Sequence, residues 1–141
     1  MGHPHGLPVD PDAGRRIDAR VLAAIAAGGA LGAPARYAVS RIVHVAPNTF
    51  PWATFWTNVS GSFLLGLLVT VIVERVRPTK YLRPFAAVGF LGAYTTFSTF
   101  AVETDVLVKD GHTGIAVVYV VASIVAGVAA ATAGIAAGAK R

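Results

Sequence analysis

The side chains with the most binding chemistry lie in one stretch, Gly89-Phe90-Leu91-Gly92-Ala93-Tyr94-Thr95-Thr96-Phe97-Ser98-Thr99-Phe100. Two glycines three apart precede four hydroxyl residues and two phenylalanines in six positions. Within an apolar segment long enough to cross a bilayer, that composition predicts a helix broken at mid-membrane, its backbone carbonyls left without intrahelical partners. Such backbone is tolerated at membrane depth where it is buried in protein or lines a wet cavity, and in channels and transporters it commonly coordinates a cation. A tightly packed unbroken helix is the alternative, with glycines for close approach and hydroxyls bonded back to the preceding turn.

Further polar groups interrupt the other apolar segments. Asn58 lies inside one of them, with Ser62 a turn later on the same side. An amide in hydrocarbon must find partners, either as glue between helices or along a polar path. Arg36 stands about 15 residues into the first segment, roughly 22 Å along a helix, from where it could snorkel to the far interface or face a pore. Tyr119, Ser123 and Gly127 recur at i, i+4 and i+8 on one helical face, a spacing that suits packing equally well. Glu103 and Asp105 sit near the end of the third segment, where a solvated or salt-bridged interfacial position is a simpler reading than a proton relay. His3 and His5 could hold a metal weakly, but in a Pro/Gly-rich setting solvated histidines are the simpler reading.

Membrane helices must position these groups. Of 141 residues, 55% are hydrophobic and 13% charged, too little polar sequence to cover a soluble globule of that size. Spans are expected over about 21–43, 52–73, 84–108 and 114–138, a membrane domain over 21–139 preceded by a disordered cytoplasmic tail over 1–20. A signal peptide is not expected, because the first apolar stretch is too long and runs into further spans. Trp52 and Trp56 form an aromatic interface anchor, and Gly28 and Gly32 have the spacing of a close helix contact. The net charge of +5 comes from residues that flank apolar spans instead of forming one face, which argues for membrane and against nucleic acid. With no cysteine, disulfides and thiolate metal sites are excluded.

Motifs in all four spans resemble the Fluc (CrcB-type) fluoride channels. They are Gly28-Gly29-Ala30-Leu31-Gly32-Ala33-Pro34-Ala35-Arg36-Tyr37, Thr57-Asn58-Val59-Ser60-Gly61-Ser62-Phe63-Leu64-Leu65-Gly66, the Gly89–Phe100 stretch, and Tyr119-x-x-x-Ser123. The resemblance runs from about Ala27 to Gly127 and departs at Gly127, where some relatives carry a further hydroxyl. It implies an all-α membrane protein of four transmembrane helices with a broken third helix, assembled as an antiparallel dimer with two pores. It implies a channel, not an enzyme, that exports fluoride passively from a prokaryote across the plasma membrane and protects against fluoride toxicity. The residues it places in the anion pathway are Asn58, Phe97, Ser98, Thr99, Phe100, Tyr119 and Ser123, with Arg36 near the pore mouth. A structural sodium ion would be held at the dimer interface by the backbone carbonyls of Gly92 and Thr95.

Physical chemistry makes that assignment coherent. Fluoride holds water tightly, and a site that strips it must offer many donors, because an unpaired buried anion is prohibitively costly. Amide and hydroxyl hydrogens supply them, and a phenyl ring presents a positive edge to a small anion. Four short helices could hardly enclose a pore alone, so dimerisation is expected on physical grounds too. Two other classes fit the outline: a four-span proton-coupled exporter, for which the first span lacks the deep acid, and a noncatalytic assembly subunit. Charge bears on the partner. Arg15, Arg16, Arg20, Arg75, Arg77, Lys80, Arg83, Lys140 and Arg141 fall on one side, against Arg36, Arg41 and Lys109 on the other. That bias predicts cytoplasmic termini and one fixed orientation, and so a heterodimer with a paralogous subunit of opposite bias as an alternative to the homodimer.

Overall fold

The computed structural model describes residues 18–74 and 80–139. The expected tail, with His3, His5, Arg15 and Arg16, lies outside the described residues apart from its last three positions, as do Arg75, Arg77, Lys140 and Arg141. Among the described residues every regular element is helical: α1 (Ala19–Ile42), α2 (Trp52–Glu74), a π-helical stretch (Pro84–Leu91), α3 (Gly92–Tyr94), α4 (Phe97–Lys109) and α5 (Thr113–Ala139). Four segments are long and apolar enough to cross a membrane, the third running from Pro84 through Lys109. They are apolar around most of their circumference, as helices facing lipid must be.

Two helix ends show a clear local cause. Asp18 opens α1 by accepting from the Arg20 amide at 2.9 Å, and its other oxygen takes the Lys80 ammonium. The ammonium of Lys80, followed by the Arg20 amide, holds the Asp18 carboxyl below its usual range. The pair ties the start of α1 to the connection that precedes the third span. At the other end of the third span, α4 stops at Asp110, and Gly111 at φ +83° turns the chain into α5, a conformation that glycine adopts without strain.

Two backbone-close helix pairs make the fold. α1 lies on the π-helical stretch, and α2 lies on α5, which also receives α4. The first contact is made by Gly28 against the Phe85 carbonyl and by Gly89 against the Ile25 carbonyl, so neither helix has room for a side chain there. Gly32, the other half of the spacing read from the sequence, is buried against the Phe90 carbonyl. The second contact repeats the device, with Gly66 on the Ala131 carbonyl and Gly134 on the Phe63 carbonyl. Between helices in lipid, where no hydrophobic force operates, such close approach lets dispersion and polar contacts accumulate. A small aromatic cluster closes the end nearest Pro51: Phe50, Phe55 and Phe100 surround Tyr119, which is fully buried.

Gly134→Val tests the second contact, since its Cβ would overlap the Phe63 backbone. Thermal unfolding in detergent should register a loss of about 1–3 kcal/mol. Gly114→Ala, with nothing within 4 Å of the added methyl, should show no loss.

Candidate functional site

The third span does not wind uniformly. From Pro84 to Leu91 it has π winding, and the Gly92 amide still donates to the Ala87 carbonyl five residues back. One α turn follows, and then Thr95 (φ −76°, ψ 161°) and Thr96 (φ −149°, ψ 123°) are extended before α4 begins at Phe97. The side-chain amide of Asn58 meets that extended backbone edge to edge. Its Nδ2 donates to the Thr96 carbonyl at 3.0 Å, and the Thr96 amide donates to Asn58 Oδ1 at 2.9 Å. Asn58 keeps one Nδ2 hydrogen beyond the one directed at Thr96.

Donors are thereby diverted from two carbonyls. In an unbroken helix the Thr96 amide would serve the Gly92 carbonyl and the Thr99 amide would serve Thr95. Here the Thr96 amide goes to Asn58, and the Thr99 amide goes to the Thr96 hydroxyl at 3.2 Å, the side-chain cap of α4. The Thr95 carbonyl receives instead a long contact of 3.4 Å from Arg36 Nη1. Arg36 is half-buried and turned towards the interruption.

An open cleft of about 430 Å³ lies against this interruption. Asn58 and Ser62 line it from α2, Gly92 and Thr95 from the interruption, Phe97 and Phe100 from α4, and Ser123 from α5. Six of the ten residues singled out from the sequence thus share one surface. Arg36 and Thr99 line a second hollow of about 320 Å³ on the other side of Thr96, with Thr54 and Glu103. Ser98 is exposed and lines neither hollow, its hydroxyl 3.3 Å from that of Thr96. Tyr119 lines neither as well. It is buried in the aromatic cluster and donates its hydroxyl to Glu103 Oε2 at 2.8 Å.

Glu103 differs from the interfacial acid the sequence suggested. It is half-buried, and its second oxygen accepts from the Thr54 hydroxyl at 2.9 Å. Hydroxyl donors from α2 and α5 thus take one carboxylate oxygen each. Asp105 does behave as expected, exposed and paired with Lys109 at 2.7 Å one turn on. Sequence spacing could not signal the Thr54–Glu103–Tyr119 triad, because its members come from three different helices.

A family model described as CrcB-like protein, Camphor Resistance (CrcB), matches residues 23–135. The chain belongs to the CrcB family. Several curated members are close in sequence. Fluoride-specific ion channel FluC 3 of Streptomyces avermitilis is 51% identical over 123 residues, 87% of this chain and 60% of that protein. Fluoride-specific ion channel FluC 1 of Mycobacterium tuberculosis is 47% identical over 113 residues, 80% of this chain and 86% of that one. A third, fluoride-specific ion channel FluC of Saccharophagus degradans, is 50% identical over 107 residues, covering 76% of this chain and 80% of its own. The chain thus spans less than two thirds of the Streptomyces relative and most of the other two. The match to the CrcB family takes in the interrupted third span, the Asn58 contact and both hollows.

In this CrcB chain Tyr119 is held by its bond to Glu103. Tyr119→Phe keeps the ring packing and leaves one carboxylate oxygen without its donor, which should lower stability by about 2 kcal/mol. The exposed Tyr37→Phe should leave the unfolding midpoint unchanged.

Proposed function

We propose that this protein is a fluoride-selective channel, exporting the ion passively and protecting the cell against it, with the cleft beside Thr96 forming one wall of the anion path. The observation that carries the proposal is the convergence in that cleft of Asn58, Phe97, Phe100 and Ser123 with the interrupted backbone. The relatives' names supply the anion, and the chemistry of the cleft suits it. Asn58 has a free amide hydrogen, Ser123 a hydroxyl, and the start of α4 adds the positive end of a helix dipole. Phe97 and Phe100, 6.0 Å apart by ring centroids, bring ring edges. The extended residues Thr95 and Thr96 support the reading of a broken third helix. Arg36 sits behind the break, where its charge draws an anion inward. Of the others expected in the same path, Thr99 lines the second hollow, Ser98 lies at the exposed start of α4, and Tyr119 lies behind the Glu103 to which it donates.

The assembly is part of the proposal. One copy leaves the cleft open and Phe97 80% exposed, so a second copy, antiparallel, supplies the missing wall. The Gly92 and Thr95 carbonyls, deprived of their helical donors, are hard oxygen ligands that fit a structural sodium ion. Two carbonyls are too few for a cation, and the same pair from a second copy completes the set. Bound there, the ion would offset the dipoles of those carbonyls. With Arg36 turned inward, positive charge on the side away from the termini falls to Arg41 and Lys109, favouring cytoplasmic termini in the plasma membrane. The same bias keeps a paralogous partner of opposite orientation as the alternative to a second copy.

Efflux from liposomes loaded with potassium fluoride or potassium chloride tests the function. Purified protein should release fluoride rapidly and retain chloride, and Phe97→Ile or Phe100→Ile should cut fluoride release roughly tenfold. Release of both anions alike, or of neither, would refute the proposal.

A further inference from the structure

Hydroxyls inside membrane helices normally return their hydrogen to a carbonyl of the preceding turn. Thr57, Ser60, Thr70, Thr104 and Thr132 do so here, at 2.7 to 2.9 Å. Thr95 does the same with the Leu91 carbonyl, and Thr54 and Thr96 bond to side chains instead. Among the described residues two serine or threonine hydroxyls in the interior of the spans make no hydrogen bond to protein: Ser62 on α2 and Ser123 on α5. Both line the cleft beside the break. The Ser123 oxygen is buried without a partner, and an unpaired hydroxyl in an apolar setting is costly. Two such hydroxyls, from facing helices on one cleft, mark a place that a hydrogen-bond acceptor is meant to fill.

Ser62 stands beside α5 at Gly127: a Cβ there would lie 3.7 Å from Ser62 Oγ, in ordinary contact with it. Ser62 also stands one turn after Asn58, which bonds the break. Asn58, Ser62 and Ser123 therefore offer donors along one wall.

We infer that Ser62 is a ligand of the permeating anion, supplying from α2 the hydroxyl that α5 lacks at Gly127. The inference rests on the channel function proposed above and adds a residue to it. Ser62 and Ser123 pass a small, strongly hydrated anion between them, each replacing part of its water shell. Because the requirement is for a hydroxyl at a place and not for a serine on α2, the donor can be moved across the cleft.

The test uses fluoride efflux from liposomes with the intact protein and its variants. Ser62→Ala should lower the rate about tenfold, the scale of a hydrogen bond to an ion. Adding Gly127→Ser, which returns a hydroxyl from the opposite helix, should restore at least a third of the original rate, roughly 0.6 kcal/mol short of full recovery at most. Ser62→Cys, of similar size with a weak donor, should also be slow and serves if the alanine variant does not fold. Ser62→Ala at the unaltered rate would overturn the inference while leaving the channel intact. So would a folded double variant, by its unfolding midpoint, that is no faster than Ser62→Ala. Unaltered protein that releases no fluoride would overturn the channel reading itself, and this inference with it.

Discussion

The paired hydrogen bonds between the Asn58 amide and the backbone of Thr96 are the constraint on which the rest of the site depends. Extended residues in the middle of a membrane span expose amide and carbonyl groups where no solvent can satisfy them, and each such group costs several kcal/mol in hydrocarbon. A primary amide, without carrying charge, donates and accepts along a single edge, so it replaces a strand neighbour for Thr96. With the Thr96 amide so engaged, the Gly92 carbonyl loses its helical donor. The Thr96 hydroxyl then caps α4 through the Thr99 amide, and the Thr95 carbonyl is released in turn. One side chain on α2 thus sets the winding of a different helix.

Close backbone contact makes that reach possible. Asn58 arrives at Thr96 because Gly61, a turn along α2, lies against the Thr95 side chain with no room for a Cβ. α2 is in turn held to α5 by Gly66 and Gly134, and Ser62 and Ser123 line the same cleft from the two helices. Glycine in a helix interior is unfavourable in water, but in a bilayer the gain from backbone approach offsets it. Packing and chemistry are inseparable here: the same glycines that bring the helices together determine which polar groups meet.

Much of the fold was legible because bilayer thickness is a physical length. Four apolar segments of that length, separated by Pro-, Gly- and charge-bearing connections, allow little besides four spanning helices. The Gly89–Phe100 stretch was legible through composition, since clustered hydroxyls and glycines inside an apolar run conflict with a plain spanning helix. What the sequence could not carry was partner identity across helices. Glu103 read as an interfacial acid because its distance along the helix is visible, whereas Thr54 and Tyr119 meet it only in space. Tyr119 and Ser123 share a face by spacing, but each four-residue step also rotates by about 40°. That rotation suffices to bury the tyrosine in the aromatic cluster while the serine reaches the cleft. The π winding of Pro84–Leu91 left no mark in residue type, and Ser62 looked no different from the serines that bond to their own helix.

The central claim is that Asn58 holds Thr96 in its extended conformation by binding its backbone. Amide hydrogen exchange at Thr96, followed by NMR in detergent or lipid nanodiscs for the unaltered protein and for Asn58→Ala, tests it most directly. The account predicts a protected Thr96 amide in the unaltered protein and, once the side-chain amide is gone, an exchange rate higher by at least about tenfold, the loss of one hydrogen bond. A Thr96 amide equally protected in both proteins would contradict it, since some other acceptor would then be holding the extended segment.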